Sequence, residues 1–150
     1  MRIRLDNVND RNAVSCVCSA DVEQGMILKI TGLATGIVAE GECYQVAKSA
    51  NDDDSLFVVV AHDGHSYTSD EYDFADKATI KAGEAFRAYV LDGYQVVTVE
   101  KAVAGTLTAG TSVGADATGK WVSVTDDKVG QVLKVTKLGD RDAYQILIVR

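Results

Sequence analysis

The sequence predicts an all-β protein, a small barrel or sandwich of short antiparallel strands interrupted by one long irregular loop. Three observations carry that expectation. Strand-forming runs recur with turn signals roughly every 8–12 residues, the spacing of barrels and sandwiches. No segment shows the apolar period of an amphipathic helix over about ten residues or more. The stretch from Ile80 to Lys101, IKAGEAFRAYVLDGYQVVTVEK, reads as a hairpin whose two arms agree with each other.

That hairpin turns at Asp92-Gly93, a dipeptide suited to the positive φ values of a two-residue type I′ turn. The register it implies sets Leu91 opposite Tyr94, Tyr89 opposite Val96 and Arg87 opposite Thr98. The other face pairs Val90 with Gln95, Ala88 with Val97 and Phe86 with Val99. Opposed residues share a face, so Phe86, Ala88, Val97 and Val99 become a core patch. Arg87, Tyr89, Val96 and Thr98 become a mixed face.

The remaining elements follow in order. Arg2 to Leu5 alternates like a strand, Asp6 to Asn12 is polar and turn-rich, and Ala13 to Cys18 is a second short strand. The weak periodicity of residues 1–20 favours a frayed terminus or ordinary first strand over an arm that orders only on a partner. Met26 to Ile30 is a strand closed by Thr31-Gly32, and Ile37-Val38 and Cys43 to Ala47 are further strands. Leu56 to Ala61 is a continuous apolar run of strand length and is expected to be buried on both faces. His62 to Lys77 is the long excursion, with a short helical turn near Ser69 to Phe74. Beyond the hairpin, Asp116 to Gly119 turns Ser112-Val113 into Lys120 to Thr125. Val129 to Leu138 and Ala143 to Val149 are two more strands around a polar turn at Gly139 to Asp142.

A chain of 150 residues is read as one domain, and its size lets it bury roughly 70% of its unfolded surface without staples. Residues 80–150 form its best-supported β module. The absence of proline leaves every tight turn to glycine, aspartate, asparagine or serine. A net charge of −7 argues against generic nucleic-acid binding, which needs a basic footprint. No run approaches the ~18 apolar residues of a membrane span. The N-terminus lacks the apolar core of a signal peptide, so folding in a cytoplasm is expected. Cys16, Cys18 and Cys43, odd in number and without C-x-x-C spacing, read as reduced thiols used as small apolar residues.

Chemistry-bearing patterns are weak. His62 and His65, with Asp70, Glu71 and Asp73 downstream, offer zinc donors only if the loop folds back, and H-x-x-H alone falls short of a zinc motif. Asp52-Asp53-Asp54 lacks EF-hand spacing. Neither a G-x-S-x-G elbow nor a phosphate-binding glycine motif occurs. Neither a cofactor nor a metal is therefore expected, and enzymatic activity is not expected. Tyr67, Tyr72, Tyr94 and Trp121 are candidate sugar-stacking aromatics, for which ordinary packing is the simpler reading.

Ile80-Gly83-Glu84 at a strand start, Leu107-Gly110-Thr111-Val113 around a turn, Gly130-Val132 and the terminal YQILIVR strand together form a pattern covering about half the chain. In this it is similar to the head decoration, or cement, proteins of tailed bacteriophages, including the lambda decoration protein family. The resemblance implies a β-tulip-like fold and a non-enzymatic virion protein on the capsid exterior, assembled in the bacterial host cytoplasm. It implies that the protein stabilises the expanded head by bridging major capsid protein subunits, as a homo-oligomer with a trimer favoured; the charge and the lack of a long apolar run add the expectation of no nucleic-acid and no membrane partner. The alternative is another virion β module, such as a head-fibre base or sugar-binding spike domain. Arg2, Ile3, Arg4, Leu5, Arg87, Tyr89 and Val96 are the candidate capsid or inter-subunit contacts.

Overall fold

The computed structural model describes residues 3–8, 10–34, 43–48, 56–61 and 79–149. In chain order the strands are β1 (Ile3–Asn7), β2 (Ala13–Cys18), β3 (Val22–Glu23), β4 (Ile27–Leu33), β5 (Cys43–Ala47), β6 (Phe57–Val60) and β7 (Thr79–Ile80). They continue as β8 (Ala85–Val90), β9 (Val96–Glu100), β10 (Ser112–Ala115), β11 (Trp121–Ser123), β12 (Gly130–Leu138) and β13 (Arg141–Ile148). Two 3-10 turns, Asp10–Asn12 and Lys101–Val103, are the helical elements among the described residues. The predicted all-β class holds.

Five strands close a barrel in the order β2-β5-β4-β6-β8. Its pairs are antiparallel except β2 with β5, which run parallel with Cys16 opposite Tyr44. All four residues of β6 are buried. Side chains alternate between the faces of a strand, so both faces of β6 are covered, as its unbroken apolar run implies. β4 runs past the expected stop at Thr31-Gly32. A register shift between Ile30 and Gly32 absorbs Thr31 as a bulge and lets pairing with β5 continue to Leu33.

Six strands form the second unit, an open sheet ordered β1-β9-β13-β12-β10-β11. Its spine is the β12–β13 hairpin, turned at Gly139-Asp140 with Leu138 opposite Arg141. Gly139 has φ 68°, the positive value that a type II′ turn requires at its first central residue. Gly130 is required for a different reason, since a Cβ there would lie 2.8 Å from the Leu147 carbonyl oxygen and from Ile146 Cγ2. β3 and β7, two residues each, form a small separate ribbon that local pattern could not announce.

The expected hairpin between β8 and β9 does not form. A strand has two hydrogen-bonding edges, and those of β8 are taken by β2 and β6 while those of β9 are taken by β1 and β13. Tyr89 therefore faces Ala13 and Val59 instead of Val96, and Thr98 faces Arg4 and Gln145 instead of Arg87. Among the residues between them, positive φ falls on Tyr94 alone, at 66°. With positive φ at its third residue, the turn follows the φ pattern of a type II turn. It carries the chain from the barrel to the sheet.

Phe86, Ala88, Val97 and Val99 are all buried, as the apolar patch required, though from two different sheets. One cluster of buried apolar residues includes side chains of both units. Trp121 of β11 is completely buried, and its indole N–H donates to the Gly25 carbonyl 2.9 Å away in the turn before β4. Gly119 (φ 85°) presses on the same strand, its carbonyl accepting from the Ile27 amide at 2.9 Å. These contacts dock the β10–β11 turn onto the barrel.

Candidate functional site

Among the described strands the chain passes between the two units twice, once from β1 to β2 and once from β8 to β9, and the crossings are stitched together. Asn7 Nδ2 donates to the Tyr94 carbonyl (3.2 Å), and Asn12 Nδ2 donates to the Val90 carbonyl (3.3 Å). Within the second crossing, Gln95 is buried and satisfied at both ends. Its Oε1 accepts from the Asp92 amide (2.9 Å) and its Nε2 donates to the Val90 carbonyl (3.2 Å). The Tyr94 amide donates to the Ile148 carbonyl at 2.8 Å, so its backbone is held by β13 on one side and by Asn7 on the other.

Between these crossings lies an open cleft of about 280 Å³ lined by Asn7, Asn12, Asp92, Gly93, Tyr94 and Gln95. Tyr94 is 85% exposed, the most exposed large hydrophobic side chain among the described residues. Its φ of 66° is unusual for a bulky residue and costs roughly 1 kcal/mol or more of backbone strain. The fixed backbone thus presents a free ring.

The candidate contact residues are not brought onto one face. Arg2 lies outside the described residues. Ile3 is 4% exposed and belongs to the core, while Leu5 is half-buried against it. Arg87 and Tyr89 belong to the barrel, where Arg87 lines a shallower cleft of about 230 Å³ with Ser15, Ala85 and Phe86. Val96 belongs to the sheet, half-buried opposite Asn7 and Leu147. The mixed ribbon face is therefore split between the two units.

Arg4 is held in a network at the sheet edge. Its Nε lies 2.6 Å from Asp6 Oδ1, and Asp6 Oδ2 accepts from Thr98 Oγ1 of β9 (2.5 Å) and, at a longer 3.5 Å, from Gln145 Nε2 of β13. Burial pushes the Asp6 carboxyl upward, but the hydrogen bonds from Thr98, Arg4 and Gln145 and the Arg4 charge outweigh it. The group stays below the usual carboxylate range. Asp116 is lowered in the same way against its own burial, its Oδ1 accepting from Thr118 Oγ1 and from the Lys120 and Thr118 amides within the turn.

The three cysteines are free and buried. Burial, with the neighbouring Cys43 adding to it, pushes the Cys16 thiol up to about 12, and burial raises Cys43 as well. Cys16 therefore stays protonated at neutral pH, where a protonated thiol is a poor nucleophile and a poor metal ligand. Among the described residues no three His, Cys, Asp or Glu side chains gather as a metal site, and no helix is long and apolar enough to cross a membrane. His62, His65, Asp52-Asp53-Asp54, Tyr67, Tyr72 and Ile37-Val38 lie outside the described residues, as does the 62–77 excursion. Trp121 belongs to the core and has no face to offer a ligand.

Sequence reasoning did not find Asn7, Asn12 or Gln95. The available signal was two asparagines bracketing a polar stretch that joins two strands, together with the Asp-Gly breaker; only topology places the two stretches side by side.

No family model and no curated protein matches the chain. Among solved structures, the head fiber gp8.5 N base of bacteriophage phi29 matches over 92% of this chain and 97% of that one, with a TM-score of 0.51 and 12% sequence identity. At that identity the likeness is one of fold, and it spans both the barrel and the sheet. The chain shares its fold with that phi29 head-fiber base.

Proposed function

We propose that this protein is a non-enzymatic structural module of a phage virion, seated on the exterior of the head and assembled in the bacterial host cytoplasm. The observation that carries the reading is the fold shared with the phi29 head-fibre base along nearly the full length of both chains. The decoration-protein pattern in the sequence supports the same placement by a separate route. Among the described residues β1 is paired on one side only, with β9, and this supports it physically, because an unpaired strand edge is a ready template for adding a strand from a neighbouring protein. The acidic surface suits the outside of a shell better than the DNA-facing inside.

In its finer form, the protein binds the major capsid protein as a homo-oligomer, a trimer being favoured, and bridges adjacent subunits of the expanded head. The fibre-base fold favours a second form, in which it sits at a few symmetry positions and carries a projecting element. Purified protein is mixed with expanded heads that lack it, and bound copies are counted after sedimentation. Occupancy across the shell with a raised temperature of DNA release supports cementing. A few copies per head with an unchanged release temperature supports a fibre base. Failure to sediment with heads overturns both forms.

A further inference from the structure

We infer that the cleft between the two crossings is a carbohydrate subsite that takes one neutral pyranose ring against Tyr94. The inference goes beyond placement on a virion and does not depend on it.

The strongest observation is the way Tyr94 is built. Its backbone is pinned on both sides in a conformation that bulky residues rarely adopt, while its ring makes no use of the core. A glycine would satisfy the turn without strain. Strained backbone kept in place by its surroundings is characteristic of binding sites, and here it delivers an aromatic face to the rim of a cleft.

The lining supplies the polar half. The two asparagine amides are oriented unambiguously, because each points its NH₂ at a backbone carbonyl that can only accept. Among the described residues, Asn7 Oδ1 and Asn12 Oδ1 are left as acceptors, as is Asp92 Oδ2, whose sister oxygen takes the Gly93 amide at 2.8 Å. A cleft lined by spare acceptors and a carboxylate suits a ligand rich in hydroxyl donors. It is wrong for phosphate, sulfate or an acidic sugar, which would meet acceptors and negative charge with no cation among the described residues of the lining. The volume fits one ring of a glycan rather than an extended chain. An electron-rich phenol face packs well on the C–H face of such a ring. The position, between two structural units, is one where ligand clefts commonly form.

The test uses the isolated full chain, ¹⁵N-labelled and titrated with D-glucose, D-galactose, D-mannose and N-acetylglucosamine in the presence of EDTA. At least one sugar is expected to give saturable shifts centred on the Gly93, Tyr94 and Gln95 amides and the Asn7 and Asn12 side-chain amides. Single-ring affinity is expected to be weak, with Kd on the order of 1 mM to tens of mM. Tyr94→Gly relaxes the backbone, so it should fold with an unchanged or raised Tm and still weaken binding by about tenfold or more. Asp92→Asn, which keeps the turn's acceptor, should weaken binding while preserving the spectrum of the fold. Three outcomes overturn the inference: no saturable shift with any of the four sugars, shifts centred elsewhere, or Tyr94→Gly binding as tightly as wild type. Head binding is not part of the readout, so this inference and the virion reading fail separately.

Discussion

Trp121 is the side chain through which the sheet grips the barrel. Large aromatic residues dominate cores because of the apolar area they bury, but this one also carries a polar atom into the interior and satisfies it on Gly25. That pairing is what allows a tryptophan to be completely buried. Trp121→Phe keeps most of the apolar contact and removes the donor, which leaves the Gly25 carbonyl without its partner and a gap where the larger ring was. The expected cost is about 1–3 kcal/mol, read as a lower midpoint in urea with an unchanged slope. A variant as stable as wild type would mean that the indole hydrogen bond contributes nothing net. The same residue shows why single aromatics mislead in sequence: GKWVSV places Trp121 on an ordinary short strand, and only the docking of β11 onto the turn before β4 decides that it faces inward.

Among the elements, β1 is the one whose role depends most on context. It is visible in the alternation of Arg2 to Leu5, and β2, β5 and β6 are visible as runs of strand formers bounded by turn residues. The partners are not visible. β1 pairs with β9, some ninety residues away, and the Asp92-Gly93 turn ends in a crossing because both edges of β8 and β9 are claimed by distant strands. Local preference favoured a hairpin, and tertiary pairing overrode it. The cleft was illegible for the same reason, since Asn7 and Asn12 meet Tyr94 and Val90 only after both crossings are in place. Tyr94 itself was legible as an aromatic but not as a strained one. The Asp6 carboxylate fastens β1 to its neighbours by accepting from Thr98 of β9 and Gln145 of β13, with Arg4 beside it. Its folded value is lowered, so its contribution is fully present above the ordinary carboxylate value of 3.8 and is lost as pH falls through the lower folded value. Wild type should therefore melt above Asp6→Asn at neutral pH, and the gap in Tm should shrink progressively below about pH 4. A gap that stayed constant down to pH 2 would show that the charge on Asp6 is not what holds the strand.

At the scale of the whole molecule, the question is whether barrel and sheet are two folding units or one. Chain order alone suggests two, with residues 13–90 supplying the barrel and 96–148 most of the sheet. Three features argue that they unfold together. The sheet is not complete without β1, which precedes the barrel in sequence, so residues 96–148 alone do not contain the whole sheet. Trp121 and Gly119 of the sheet hold Gly25 and Ile27 of the barrel. One cluster of buried apolar residues draws on both units, and opening either would expose surface of the other. The protein carries its own probes for the test. Its sole tryptophan reports on the sheet, and its three buried thiols, Cys16, Cys18 and Cys43, all lie in barrel strands. In a urea series, tryptophan fluorescence, thiol reactivity and far-ultraviolet circular dichroism should share one midpoint, the signature of a cooperative transition. Thiols that became reactive at clearly lower urea than the tryptophan transition would show the barrel opening first. The contacts across the waist would then be a docking surface between two modules, and the crossings that frame the cleft a hinge instead of a fixed frame.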